Sequence, residues 1–251
     1  MTNVLITGAS SGIGEALAVA CAAGGARRLF LGGRDSARLA AVADACRAHG
    51  AEVQTATVDV TDETAMRDWI VRSDAESPLD LVFANAGIAT REEIEPNIRR
   101  TFATNVNGTL NCALPALDCF RRHGGGQLVL TASIAGYAPL SGCPAYSATK
   151  ACLKTWGLAL RGMLRGENIR VNVVCPGFVR SRLTDANTCP MPFFMEASQA
   201  ASIILARVQR DVPLIAFPWP MRLAVWMLSS LPARLAGWIA TLLPAPTFRS
   251  N

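Results

Sequence analysis

The sequence predicts an α/β fold, a parallel sheet whose strands are connected by helices. Three observations predict it. Short apolar, β-branched runs recur along the chain, mostly closed by Gly or Asp, and a helical stretch follows each, the pattern of repeated βαβ units. The chain has 251 residues, 51% hydrophobic and 17% charged, enough apolar surface for a large core and too few charges for disorder. No linker, repeat or low-complexity segment divides it.

The elements follow in order. VLIT (4–7) enters a glycine-rich turn and the helical stretch EALAVACAAG. LFLG (29–32) precedes SARLAAVADACRAHG, and VQTATVDV (53–60) precedes TDETAMRDWIV. LDLVFANAG (79–87) precedes a long segment through IRRTFATNVNGTLNCALPALDCF. QLVLTAS (127–133) leads to AYSATKACLKTWGLALRGML, and IRVNVVCPG (169–177) makes a sixth strand. A seventh is expected at PLIAF (213–217), after MEASQAASIILARVQR.

Residues 218–251 differ. WPMRLAVWMLSSLPARLAGWIATLLP is strongly apolar, but Arg222, Pro232 and Arg234 interrupt it. No uninterrupted apolar run reaches the roughly 20 residues that span a bilayer. Two short amphipathic helices are expected, packed on the protein itself. A cover for the sheet, a lid over a substrate, a dimer contact and a membrane-surface contact are all open as roles.

Net charge is +5, and the basic residues are scattered, with pairs only at Arg27-Arg28, Arg99-Arg100 and Arg121-Arg122. A nucleic-acid partner would want a clustered stripe, so none is expected. The 8 Cys form no C-x-x-C, and His49 and His123 lie far apart, so no metal site is expected. Reduced thiols packed as small apolar residues fit better, in a cytoplasmic compartment. The N-terminus MTNVLITGAS lacks the pattern of a signal peptide.

Two motifs carry chemistry. TGASSGIG stands between the first strand and the first helix, with Gly8, Gly12 and Gly14. A strand that turns sharply into a helix and lets a pyrophosphate approach needs residues without a Cβ, and the helix N-terminus then offers free N–H groups. Ser10 and Ser11 add hydroxyl donors. The spacing is G-x-x-x-G-x-G rather than G-x-G-x-x-G. The second motif is singular by composition. The chain has two tyrosines, Tyr137 and Tyr146, and two lysines, Lys150 and Lys154. Lys150 follows Tyr146 by four residues, which puts both on one helix face, whereas Tyr137 has Ser141 at that offset.

With these motifs the sequence resembles the short-chain dehydrogenases/reductases over roughly residues 1–217. TGASSGIG, Asp59-Val60, the NAG of Asn85, Ala86 and Gly87, then Asn105, Ser133, Y-x-x-x-K at Tyr146 and Lys150, and Pro176-Gly177 appear in the family's order. The resemblance implies a Rossmann-type, doubly wound sheet of about seven strands with helices on both faces. Residues 1–217 would form the dinucleotide-binding and catalytic domain, and 218–251 an extension on it. It implies an NADP(H)- or NAD(H)-dependent oxidoreductase with Asn105, Ser133, Tyr146 and Lys150 as catalytic residues. Gly8, Ser10, Ser11, Gly12, Ile13, Gly14, Asp59, Val60, Asn85, Ala86, Gly87, Pro176, Gly177 and Val179 would hold the cofactor, with Tyr146 and Lys150. Asn105 is favoured over Asn107 by the family pattern and would help hold a water linking Lys150 to solvent.

Carbonyl reduction needs a hydride and a proton. A phenol near pKa 10 is poorly matched to neutral pH, and a lysine about 5 Å away contributes about 3 kcal/mol at an effective dielectric of 20. Positive charge on an oxidised nicotinamide would add to this in the alcohol-oxidation direction, so the lysine and the cofactor together are expected to tune Tyr146 toward neutrality. For the cofactor, Gly33 occupies the place where the family's NAD users carry an acid, and Arg34 follows it as in NADP users. NADP(H) is expected, with Asp35-Ser36 capping the next helix instead. Tyr137, Phe178, Met191, Phe193 and Phe194 suggest an apolar substrate pocket, hence a hydrophobic ketone or secondary alcohol. The alternatives are a 3-oxoacyl-thioester ketoreductase and, in a different class, a cofactor-sensing or membrane-surface interaction protein. A homodimer is expected.

Overall fold

A computed structural model describes residues 2–90, 92–185 and 190–242. Seven strands form one fully parallel sheet: β1 (Asn3–Thr7), β2 (Arg28–Gly33), β3 (Glu52–Thr57), β4 (Leu81–Ala84), β5 (Gly126–Thr131), β6 (Ile169–Pro176) and β7 (Leu214–Phe217). Their spatial order is β3-β2-β1-β4-β5-β6-β7. This is the doubly wound Rossmann-type arrangement. Strands covered on both faces must be apolar on both, and the central β1 buries Val4, Leu5 and Ile6 in succession.

Helices cover both faces. On one, α1 (Gly12–Ala23), α2 (Ser36–Arg47) and the later helix Ala197–Gln209 pack Leu17, Leu39 and Ile204 against Val4, Ile6 and Leu29. On the other, α3 (Glu63–Glu76) and the helix Gly108–His123 pack Met66, Ile70 and Phe120 against Leu5, Phe30 and Val82. Asp35 caps α2 by accepting from Arg38 N at 3.0 Å, as the sequence suggested, and Asp62 caps α3 in the same way.

Two local departures shape the site. β3 ends at Thr57, three residues short of the apolar run, because its only partner β2 ends at Gly33. Beyond it the chain peels away, and Asp59 turns it by accepting from Thr61 N and Oγ1, both at 2.9 Å. The long segment after β4 is not one uniform helix. It runs as α4 (Glu95–Phe102), a π-helical turn (Ala103–Asn107) and α5 (Gly108–His123).

The remaining helices are α6 (Pro144–Met163), α7 (Arg182–Asp185) and α8 (Ala197–Gln209). After β7 come α9 (Trp219–Ser229) and α10 (Ala233–Leu242), two short helices as expected. Among the described residues no helix is long and apolar enough to cross a membrane. Met221 and Val225 of α9 pack with Ile134, Tyr137 and Leu153, while Leu228 and Ala236 pack with Ala138. The tail therefore lies on the segment that follows β5.

Candidate active site

The strand order reverses between β1 and β4, and such a switch point leaves a crevice at the carboxyl ends of the strands. A cleft of about 410 Å³ lies there. The glycine turn enters it from β1. Gly8 adopts φ +67°, and a Cβ on it would come within 2.9 Å of Ala86 Cα. A Cβ on Gly14 would lie 2.2 Å from Gly8 O, so this residue keeps α1 tight against the turn. Ser11 stands at the N-cap of α1 without a side-chain capping bond.

Thr7 ties the two sides of the crevice together. Its Oγ1 donates to Phe83 O at 3.2 Å and accepts from Asn85 N and Ala86 N at 3.0 and 3.1 Å. Asn85 Nδ2 donates to Thr7 O at 3.2 Å, and Asn85 Oδ1 accepts from Thr131 Oγ1 at 3.3 Å. The NAG segment is thus held by the ends of β1 and β5.

Most of the expected cofactor residues line this one cleft: Gly8, Ser10, Ser11, Gly12, Ile13, Arg34, Asp59, Val60, Asn85, Ala86, Gly87, Pro176, Gly177 and Val179. Gly14 lies behind it in the packing just described. Ser133, Tyr146 and Lys150 line it as well. Asn105 does not. It is fully buried in the π-helical turn, with Nδ2 donating to Ile88 O at 2.9 Å and Thr149 Oγ1 at 3.1 Å, and Oδ1 accepting from Ile88 N at 2.8 Å. Asn107, its rival, is exposed. Gly87 stands between Asn105 and Lys150, since a Cβ there would lie 3.3 Å from Asn105 Oδ1 and 3.2 Å from Lys150 Nζ.

Lys150 is only 3% exposed and donates from Nζ to Thr131 O at 2.9 Å. The ammonium sits 5.6 Å from the centre of the Tyr146 ring. Burial pushes Lys150 down to about 8. Burial likewise pushes the Tyr146 phenol up to about 12, and the nearby Ser133 hydroxyl only partly opposes it. The expected downward pull is that of Lys150 together with the cofactor's charge; burial by the chain's own groups acts in the opposite direction.

Ser133 lies two residues beyond the end of β5 and caps a short turn, accepting from Ala135 N at 3.1 Å. The turn is fixed to α6 by two devices the sequence did not flag. Ser147 Oγ reaches Ala135 O and Ala138 O at 2.6 and 2.9 Å. A Cβ on Gly136 would lie 2.5 Å from Lys150 C. The start of α6 is held by the loop before α4, with Ala145 N donating to Glu93 Oε1 at 3.0 Å.

The substrate-side expectations fare differently. Tyr137 packs into the apolar cluster under α9 rather than lining the cleft, with Lys154 Nζ 3.9 Å from its ring centre. Phe178 and Met191 are partly buried outside the cleft lining. Phe193 and Phe194 are exposed, and Arg180 lies over the Phe194 ring at 5.1 Å. These residues sit where 195 and 179 pair and Met195 N donates to Phe178 O, so the strand-like contact turns them away. Residues 186–189 of that segment lie outside the described residues.

The cleft also takes in residues not singled out by sequence. Arg38 lies near Arg34, and Ser181, Arg182 and Thr184 line the wall beyond Val179. Arg38 was legible in principle, one helical turn beyond Arg34 on the helix that Asp35 caps. Ser181 and Arg182 carry no such signal.

The short chain dehydrogenase family profile matches residues 2–190. This chain belongs to the short-chain dehydrogenase family. A relative from Myxococcus xanthus, an uncharacterized oxidoreductase, is 40% identical over 238 residues, covering 92% of each chain. The 2,3-dihydro-2,3-dihydroxybenzoate dehydrogenase of Escherichia coli is 36% identical over 180 residues, 70% of this chain and 68% of the relative. A short-chain dehydrogenase from Sphingobium yanoikuyae in complex with NADPH superimposes with TM-score 0.81 at 26% identity, covering 96% of this chain and 94% of that one. As a short-chain dehydrogenase the protein is an oxidoreductase of a nicotinamide-binding family.

Proposed function

We propose that this short-chain dehydrogenase is NADP(H)-dependent and interconverts a hydrophobic ketone and a secondary alcohol, with Tyr146 as general acid and base. The observation that carries the reading is the convergence of Tyr146, Lys150 and Ser133 on the cleft that the glycine turn and the NAG segment line.

The residues fit a dinucleotide. The start of α1 has no side-chain cap, so its N–H groups are available to a pyrophosphate. Arg38 Nε is buried without a partner beside Arg34, which suits a 2′-phosphate. Asp35 is engaged by the Arg38 N–H and guanidinium, which hold its carboxyl below the usual range and leave it poorly placed to accept from a ribose. Arg34 stands 3.9 Å from Asp59 at the same mouth.

When bound, the nicotinamide supplies or takes up the hydride. The chain's own part is the proton. A phenol near 12 is neutral at physiological pH, so Tyr146 donates to the oxygen of a carbonyl as negative charge develops on it. Ser133 Oγ orients that oxygen. Lys150 uses one donor on Thr131 O and keeps two, one for a ribose hydroxyl, while its charge stabilises the phenolate left after transfer. Asn105 fixes the chain at Ile88 beside Lys150, and the water it was expected to hold belongs to this proposal.

An apolar substrate is supported by Ile88, Ala89 and Ala132, apolar residues that line the cleft beside Ser133. The buried thiols suit a reducing, cytoplasmic setting. Division at residue 217 and a homodimer complete the reading.

NADPH oxidation against a panel of ketones tests it. Tyr146→Phe should lower turnover about 10²–10⁴-fold while NADPH fluorescence still reports binding. Full activity in that variant would refute the mechanism. Arg34→Ala should lower the NADPH-to-NADH ratio of kcat/KM about tenfold or more, and an NADH preference in the parent protein would overturn the cofactor assignment.

A further inference from the structure

The helix α9 is apolar on two opposite faces. Its inner face carries Met221, Val225 and Leu228, spaced i, i+4, i+7, which pack under the segment after β5. Its outer face carries Trp219, Leu223, Trp226 and Met227, spaced i, i+4, i+7, i+8, and these are 74%, 45%, 57% and 51% exposed. Leu235 and Trp238 of α10 are also exposed. A helix apolar all round is ordinarily covered on every side.

The charge pattern says by what. Residues 212–251 contain Arg222, Arg234 and Arg249 and no Asp or Glu. Three of the chain's five tryptophans lie in this stretch. Tryptophan favours the boundary between hydrocarbon and headgroups, and arginine favours anionic headgroups. A two-fold contact between copies would instead set this arginine-bearing segment against its own image, with no carboxylate in the segment of either copy to neutralise it.

We propose that α9 and α10 form a docking face for an anionic lipid surface, on which the protein lies without spanning. The proposal rests on the tail alone and is independent of the cofactor and substrate reading. Because the inner face of α9 packs on the residues just after Ser133, docking would bring the substrate side of the cleft close to the bilayer.

The test is flotation of the full chain with vesicles of phosphatidylcholine alone and of phosphatidylcholine mixed with phosphatidylglycerol. Tryptophan quenching by brominated lipid is read alongside. Binding is expected to the anionic vesicles, with quenching, and to weaken about tenfold or more in high salt. The double variant Trp219→Ser, Trp226→Ser should lose about tenfold or more of that binding with its thermal transition retained, since both side chains are exposed. No binding to anionic vesicles, or equal binding by the variant, would overturn the proposal. So would a wild-type dimer that the variant dissociates without any vesicle binding, which would assign the face to a second copy. Should the variant misfold, quenching of the wild-type tryptophans by lipid decides alone: its absence overturns the proposal.

Discussion

Replacing Lys150 by Met should reveal how much stability the active site gives up for its chemistry. Lys150 is 3% exposed, and burial lowers it from 10.5 to about 8. At about 1.4 kcal/mol per pH unit, holding this ammonium charged in the fold costs roughly 3 kcal/mol at pH 7. The unfolded chain binds this proton more tightly than the folded one. Stability should therefore rise with pH through the window from about 8 to 10.5, where the folded lysine has lost its proton and the unfolded one has not. Met fills similar space and does not titrate. Packing differences and the lost bond to Thr131 O shift the variant by a constant, and Tyr146 titrates in both proteins to first order. The informative quantity is thus the stability difference between wild type and Lys150→Met, measured by urea unfolding at pH 7 and pH 10. It should change by about 2 to 3 kcal/mol in favour of the wild type at the higher pH. A difference that stays constant across that range would refute the claim that Lys150 is buried as a strained cation.

Other outcomes follow from the same geometry. Ketone reduction by the wild type should decline above about pH 8 as Lys150 loses its proton, and a pH profile of kcat/KM would show it. Gly14→Ala places a Cβ 2.2 Å from Gly8 O, so it should destabilise the protein by about 1–3 kcal/mol and weaken NADPH binding, read by urea unfolding and fluorescence titration. Asp74 is 4% exposed and accepts from Leu79 N at 3.1 Å while pairing with His123 at 2.6 Å and Arg122 at 3.2 Å. Asp74→Asn should lose about 2–4 kcal/mol. Burial works to raise the Asp74 carboxyl, but the bonds from His123 and Leu79 N–H hold it below its ordinary value. The wild type should therefore lose this stability as pH falls below about 4, and the variant should lack that acid loss.

The sheet was legible because most of its strands are buried on both faces and so read as continuous apolar runs, the exposed edge strand β3 excepted. β6 shows this most clearly, with Val171, Val173, Val174 and Cys175 all buried. The site was legible where a residue type is demanded by backbone geometry or by rarity, as at Gly8 and at Tyr146 with Lys150. It was illegible where the role exists only through contact between distant segments. Glu93 reads as one acid in a loop, yet it holds the start of α6, 52 residues away. Ser147 reads as a polar helix residue, yet it anchors the turn that carries Ser133. Spacing along a helix shows that a lysine is near the tyrosine, but not how deeply that lysine is buried.

The Thr7 hydroxyl joins Phe83 O, Asn85 N and Ala86 N across 76 to 79 residues of sequence. The cleft thus has no complete precursor in either half of the chain. During synthesis, the segment through β3 can collapse on α1 and α2, but it presents only one wall. The second wall arrives when β4 docks beside β1. A chain stalled before β4 would carry the glycine turn without the NAG segment that faces it, so the site is completed only once the two halves have joined.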